Sequence, residues 1–138
     1  MVKFEILEHT ADQAIRAYGQ DLRELIESAA AGMLSLLYSE TPPEAGQYLD
    51  VEVEAEAADL LLHHCLRELL YLLEDEGLAP VSVEVTEASE QAAKLRVGVI
   101  DREQAEPLFG APVKAVTRHG LGISEEGGRL VTQIVFDV

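Results

Sequence analysis

The chain has 138 residues, of which 48% are apolar, so the composition is that of one folded domain with room for a proper core. Twenty-six acidic residues face ten basic ones, for a formal charge of −16. No cluster of Lys or Arg interrupts the acidic excess, so independent binding to RNA or DNA is not expected, and a cation or a basic protein is the natural partner. No run of about 18 apolar residues could cross a membrane. The opening "MVKFEILEHT" lacks the apolar core of a signal peptide, so a cytoplasmic protein is expected. With Cys65 as the only cysteine, an internal disulfide and a thiolate zinc cage are both excluded.

In chain order, residues 3–7 and 13–18 read as two short strands joined through "EHTAD". Asp21 is a helix N-cap, and Glu24 three residues later completes a capping box. Leu22, Leu25, Ile26, Ala29, Ala30, Met33, Leu34 and Leu37 then recur at helical spacing, which predicts a helix over 22–38. Pro42 and Pro43 keep the following stretch a loop. "LDVEVEAEA" alternates Val51, Val53 and Ala55 with glutamates, the pattern of a strand with one buried face.

A second helix is predicted over 59–75, its stripe formed by Leu62, Cys65, Leu66, Leu69, Leu70 and Leu73, with "GLAP" as its stop. "VSVEV" and "KLRVGVI" are two more strands. Residues 101–112 read as irregular, and 113–123 with 129–137 as a final pair turning at "EEGG". The order β-β-α-β-α-β-β-β-β predicts an α+β fold over residues 1–138: mostly antiparallel sheet with two amphipathic helices on one face.

Few polar residues suggest chemistry. His63 and His64 diverge by about 100° on a helix, whereas metal-binding helices set histidines four apart, so the pair reads as a boundary flanking the apolar stripe. Cys65 lies in the stripe and reads as a small core residue. "EDEG" at 74–77 is a solvated helix end. There is no G-x-S-x-G elbow, Walker loop or G-x-G-x-x-G.

Asp12 and Asp137 remain. In "LVTQIVFDV", Leu130, Thr132, Ile134 and Phe136 share one face, and Val131, Gln133, Val135 and Asp137 the other. If Asp12 sits near that strand end, its carboxylate, that of Asp137 and the terminal one converge, which is costly without a cation or protons. Hard oxygen donors would suit Ca²⁺ or Mg²⁺ rather than Zn²⁺. A polar turn and an acidic chain end account for the same residues equally simply.

"FEILEHTADQAIRAYGQDLRELIESAAAGM", "LRELLYLLEDEG", "KAVTRHGL" and the closing "QIVFDV" together resemble the archease family over almost the whole length. The resemblance implies a small acidic α+β protein that is not itself an enzyme. It implies an activator of the RtcB-type RNA ligase, which joins tRNA halves, promoting guanylylation of the ligase's own histidine and repeated turnover. It also implies a divalent-cation site at Asp12, Asp137 and Val138, the last through a main-chain or terminal oxygen. Ca²⁺ is the first expectation there, with Mg²⁺ or Mn²⁺ as alternatives. His9 and His119 fall in the family's motifs, as supports of the site or as contacts to the ligase. Two rival readings are a small metal-dependent phosphohydrolase and a general acidic chaperone or binding module whose ion is structural.

Overall fold

The computed structural model describes residues 2–8 and 12–138, with the Glu8 side chain outside that description. The predicted class holds: α+β, with two antiparallel sheets. The first sheet is built from β1 (Lys3–Glu8), β2 (Asp12–Gly19), β6 (Ala115–Val116), β7 (Ile123–Glu126) and β8 (Arg129–Asp137). It runs β1-β2-β8-β6, and β7 also pairs with β8. The second contains β3 (Gln47–Glu54), β4 (Leu78–Ala88) and β5 (Ala92–Asp101) in the order β3-β5-β4. The helices are α1 (Leu22–Leu37), α2 (Ala58–Glu74) and a single turn, α3 (Arg102–Ala105), followed by a 3-10 turn at Glu106–Leu108. Among the described residues no helix is long and apolar enough to cross a membrane.

The start of α1 follows the sequence closely. The Asp21 side chain accepts from the Glu24 backbone N–H at 2.8 Å. The Glu24 carboxylate reaches back to the Gln20 N–H at 3.0 Å, one residue earlier than a capping box requires. Leu25, Ile26, Ala29, Ala30 and Met33 are all buried. The helix packs against β1, β2 and β8 of the first sheet and against β4 of the second, so it is the layer the two sheets share. At Gly32 a Cβ would stand 2.7 Å from Ile15 Cδ1, so the missing side chain is what lets α1 lie this close to β2.

Helix α2 buries a wider surface than its predicted stripe: Leu61, Leu62, His63, Cys65, Leu66, Leu69, Leu70, Leu72 and Leu73. It packs against the second sheet, against α1 and against β6, so one stripe is not enough. Its acidic end at Glu74–Glu76 is exposed, as read. The opposing dipole is met from elsewhere, because the Arg102 guanidinium donates to the Leu73 carbonyl at 3.2 Å.

Three predicted elements need correction. "GLAP" stops α2 through Gly77, at φ +69°, but Leu78–Pro80 already belong to β4. Pro80 is tolerated because β4 is an edge strand, and the register shifts between Pro80 and Ser82. Residues 101–112 are not wholly irregular, since they hold α3 and the 3-10 turn. The predicted strand 113–123 is two short strands, β6 and β7, both paired to β8 and separated by residues 117–122. The hairpin turn sits where predicted, with Gly127 at φ +60° and Gly128 at φ +80° between the paired Glu126 and Arg129.

The outward face of the second sheet is a lattice of charge. Arg96 lies between Asp50 and Glu84, and Lys94 between Glu52 and Glu87, with both acidic rows on the outer strands. The main core lies between the sheets and helices and includes Ile15, Leu25, Leu62, Leu66, Leu95, Val97, Ile134 and Phe136.

Candidate metal centre

Strand β8 runs antiparallel to β2 in a register that makes Asp12 and Asp137 direct partners. Directly opposite residues project to the same side of a sheet, with Cβ atoms about 4.5–5.5 Å apart. The register follows from the apolar patterns of both strands. Ile15 faces Ile134, and Ala17 faces Thr132, all buried on the core side. A slip by one residue would turn Phe136 out of the core, so burying Phe136 fixes where Asp137 stands. On its other side Asp137 is paired with Ala115 of β6, and the Lys114 N–H donates to the Asp137 carbonyl at 2.7 Å.

Asp12 is half-buried, Asp137 exposed and Val138 half-buried. The structure therefore brings Asp12 and Asp137 together and sets Val138 immediately beyond them. Among the described residues no three His, Cys, Asp or Glu side chains gather as a metal cluster. The donor set here is two carboxylates, with any third oxygen coming from Val138. All-oxygen donors of this kind fit a hard divalent cation, which takes six to eight oxygens when it is Ca²⁺ and fills the remainder from water.

His9 lies outside the described residues. His119 is exposed, in the segment between β6 and β7, and its backbone N–H bonds the Thr117 hydroxyl at 3.2 Å. Cys65 is 1% exposed, and burial pushes its thiol up to about 12, with Glu68 adding to the shift; it is the core residue that the sequence indicated.

The outward face of the first sheet is electrically lopsided. Asp12 and Asp137 occupy one end. Six residues along β2, about 20 Å at strand rise, Tyr18 has Lys3, Arg16 and Arg129 around its ring, the last at 3.9 Å. Arg16 is held there by an ion pair to Glu126. Between the two ends lie Ala14 and Val135, both buried. Asp12 and Asp137 thus stand at the end of β2 opposite the cations around Tyr18.

Behind the acidic end sits a residue that sequence reasoning misplaced. His63 is 4% exposed and is no boundary residue. Its Nε2 stands 2.8 Å from the Val116 carbonyl. A carbonyl can only accept, so Nε2 carries the hydrogen and donates, which leaves Nδ1 as a bare acceptor. That Nδ1 is buried and, among the described residues, has no hydrogen-bond partner. An orphaned buried acceptor costs roughly 1–3 kcal/mol. Burial lowers the His63 pKa, Arg118 and Arg67 lower it further, and the bond to Val116 partly opposes them. His64, by contrast, is half-buried near the Glu54 carbonyl, at 3.4 Å. Adjacent helix positions diverge as expected, but the first of the two turns inward.

Comparison with known proteins agrees with this architecture. The model of the Archease protein family matches residues 4–138. Protein archease of Thermococcus kodakarensis is 37% identical over 144 residues, and that of Pyrococcus abyssi 35%, each alignment covering 100% of both chains. The solution structure of Methanobacterium thermoautotrophicum protein 1598 superposes with a TM-score of 0.77 at 29% identity, covering 100% of both chains. A crystal structure of an archease from Thermotoga maritima, described as a possible chaperone, shares the fold with a TM-score of 0.64 at 24% identity, over 96% of this chain and 94% of that one. On the family match and the full-length relatives, this chain belongs to the archease family.

Proposed function

We propose that this protein is a non-enzymatic activator of an RtcB-type tRNA-splicing RNA ligase, promoting its guanylylation and repeated turnover. In this reading it carries one divalent cation, Ca²⁺ or alternatively Mg²⁺ or Mn²⁺, at Asp12, Asp137 and Val138. The observation that carries the reading is the pairing of Asp12 with Asp137 at one end of a sheet. Like charges directly opposite each other destabilise a sheet, and a bound cation removes that cost.

The roles of the chain's own groups follow from their positions. Asp12 and Asp137 supply anionic oxygens from two strands whose spacing is fixed by the ladder between them. Val138 adds an oxygen at the strand end. When bound, the cation supplies a hard Lewis-acidic centre for oxygen ligands such as phosphate. The overall charge of −16 favours encounter with a ligase surface made basic by its need to hold RNA.

The deciding experiment is guanylylation of the purified ligase from the same source, with and without this protein, in the presence of Ca²⁺, Mg²⁺ or Mn²⁺. Acceleration by the wild type and none by a folded Asp12→Ala variant is the expected result. Equal acceleration by both would remove the cation site from the mechanism. Hydrolysis of nucleotides or RNA ends by this protein alone would favour the phosphohydrolase. Protection of unrelated unfolding proteins, without any effect on the ligase, would favour the chaperone that the Thermotoga description names.

A further inference from the structure

Strand β6 is only two residues long, yet it forms the outer flank of the acidic edge. Ala115 pairs with Asp137 and Val116 with Phe136. The Lys114 and Thr117 N–H groups donate to the Asp137 and Val135 carbonyls at 2.7 and 2.9 Å. A strand this short has too few ladder bonds to hold its own position. Among the described residues, the side-chain hydrogen bond that ties it to the rest of the protein comes from α2, through His63 Nε2 to the Val116 carbonyl.

We propose that His63 is the positioning residue of the acidic edge: by holding Val116 it clamps β6 onto β8, and so fixes where Asp137 and Val138 stand. The placement explains why a histidine is tolerated here. Among the described residues its Nδ1 has no partner, so a Leu would fill this space as well, and what distinguishes His63 is the donated Nε2–H. The bond runs from a helix packed against both α1 and the second sheet, so it ties the edge strand to the layer beneath it. Asp137 is thus held from both sides, by β2 through its own ladder and by β6 through His63.

The consequence for cation affinity rests on the reading of Asp12, Asp137 and Val138 given above, whereas the clamp itself does not. The test therefore measures the two separately on the full chain. Amide hydrogen exchange is compared between wild type, His63→Leu and His63→Gln, whose amide nitrogen can replace Nε2 as a donor. In His63→Leu the Lys114 and Thr117 amides should exchange about tenfold faster, the loss of roughly one hydrogen bond's protection. The Ile15 and Ile134 amides, in the β2–β8 ladder, should not change, and His63→Gln should restore protection. A uniform rise at all four amides, or none at Lys114 and Thr117, overturns the clamp; should His63→Leu not fold, His63→Met takes its place.

Calorimetric titration with Ca²⁺ is then run on the same proteins. His63→Leu should bind about tenfold more weakly, the low end of what removing support behind a metal ligand costs, and His63→Gln should recover. Selective exchange with unchanged Ca²⁺ affinity overturns the positioning role. A wild type that binds none of Ca²⁺, Mg²⁺ and Mn²⁺ refutes the cation reading, while the exchange result still decides the clamp.

Discussion

Asp12 and Asp137 face each other directly across neighbouring antiparallel strands, in a register that the burial of Ile134 and Phe136 holds in place. The core therefore forces two like charges together, and this conflict has measurable consequences. Asp137→Asn should leave the chelated protein no less stable, and up to about 1 kcal/mol more so, because a repulsive cross-strand pair is removed. On the proposed cation site, the same variant should lose the stabilisation that saturating Ca²⁺ would give the wild type, about 2.7 kcal/mol at a hundredfold excess over Kd. Thermal melts in chelator and in Ca²⁺ measure both halves. A destabilised variant that still gains from Ca²⁺ would contradict the argument.

Association with the ligase proposed as partner should weaken steeply with salt. A charge of −16 acts over about 8 Å at physiological ionic strength and is screened beyond that. Surface plasmon resonance across a range of NaCl concentrations should show the loss mainly in the on-rate. A salt-independent on-rate would mean that the acidic surface does not steer the encounter.

The α1 cap can be tested alone. Asp21→Ala removes the acceptor for the Glu24 N–H and should cost about 0.5–2 kcal/mol in urea unfolding. Asp21→Asn should recover most of that. Neither should alter cation affinity, since Asp21 lies beyond the opposite end of β2 from Asp12.

Stability should fall in alkali. The Cys65 thiol, ordinarily near 9.0, is pushed up to about 12 by burial, and the Tyr38 hydroxyl, ordinarily near 10.0, also to about 12. Above pH 9 the unfolded chain gives up a proton that the folded protein still holds at Cys65. The unfolded state then binds fewer protons, so the free energy of unfolding decreases as pH rises towards 12. Denaturant titrations between pH 8 and 11 measure the slope, and Cys65→Ala should make it shallower over that range. An identical slope in the variant would show that the buried thiol contributes nothing.

Much of the fold was legible because burial writes itself into periodicity. The alternation in β8 placed Asp137 on the outward face, and the capping pair Asp21 and Glu24 set the start of α1. What failed lacks such a signal. The break between β6 and β7 is a local turn, with Leu121 N–H bonded to the Arg118 carbonyl and Gly120 at φ +65°, that sets six residues against three of β8 before pairing resumes in the same direction, while the residues on both sides still alternate like a strand. Pro80 reads as a stop, and only the sheet order shows that it lies on an edge where no ladder donor is needed. His63 was misread because its environment is set by α1 and β6 as well as by the sheet under α2, and a one-face helical stripe cannot encode three neighbours. The pairing of Asp12 with Asp137 is a relation between residues 125 positions apart, which spacing alone could only pose as a condition.

The charged lattice on the second sheet bears on how copies of this protein behave towards one another. Among the described residues β3 is an edge strand, and Asp50, Glu52 and Glu54 are exposed along it. Two such edges brought together would bring the Asp50, Glu52 and Glu54 carboxylates of one copy near those of the other, which disfavours stacking into ribbons. That protection lasts only while the charges are unscreened. Storage in concentrated divalent salt therefore exposes this edge to fibre growth in a way that dilute buffer does not.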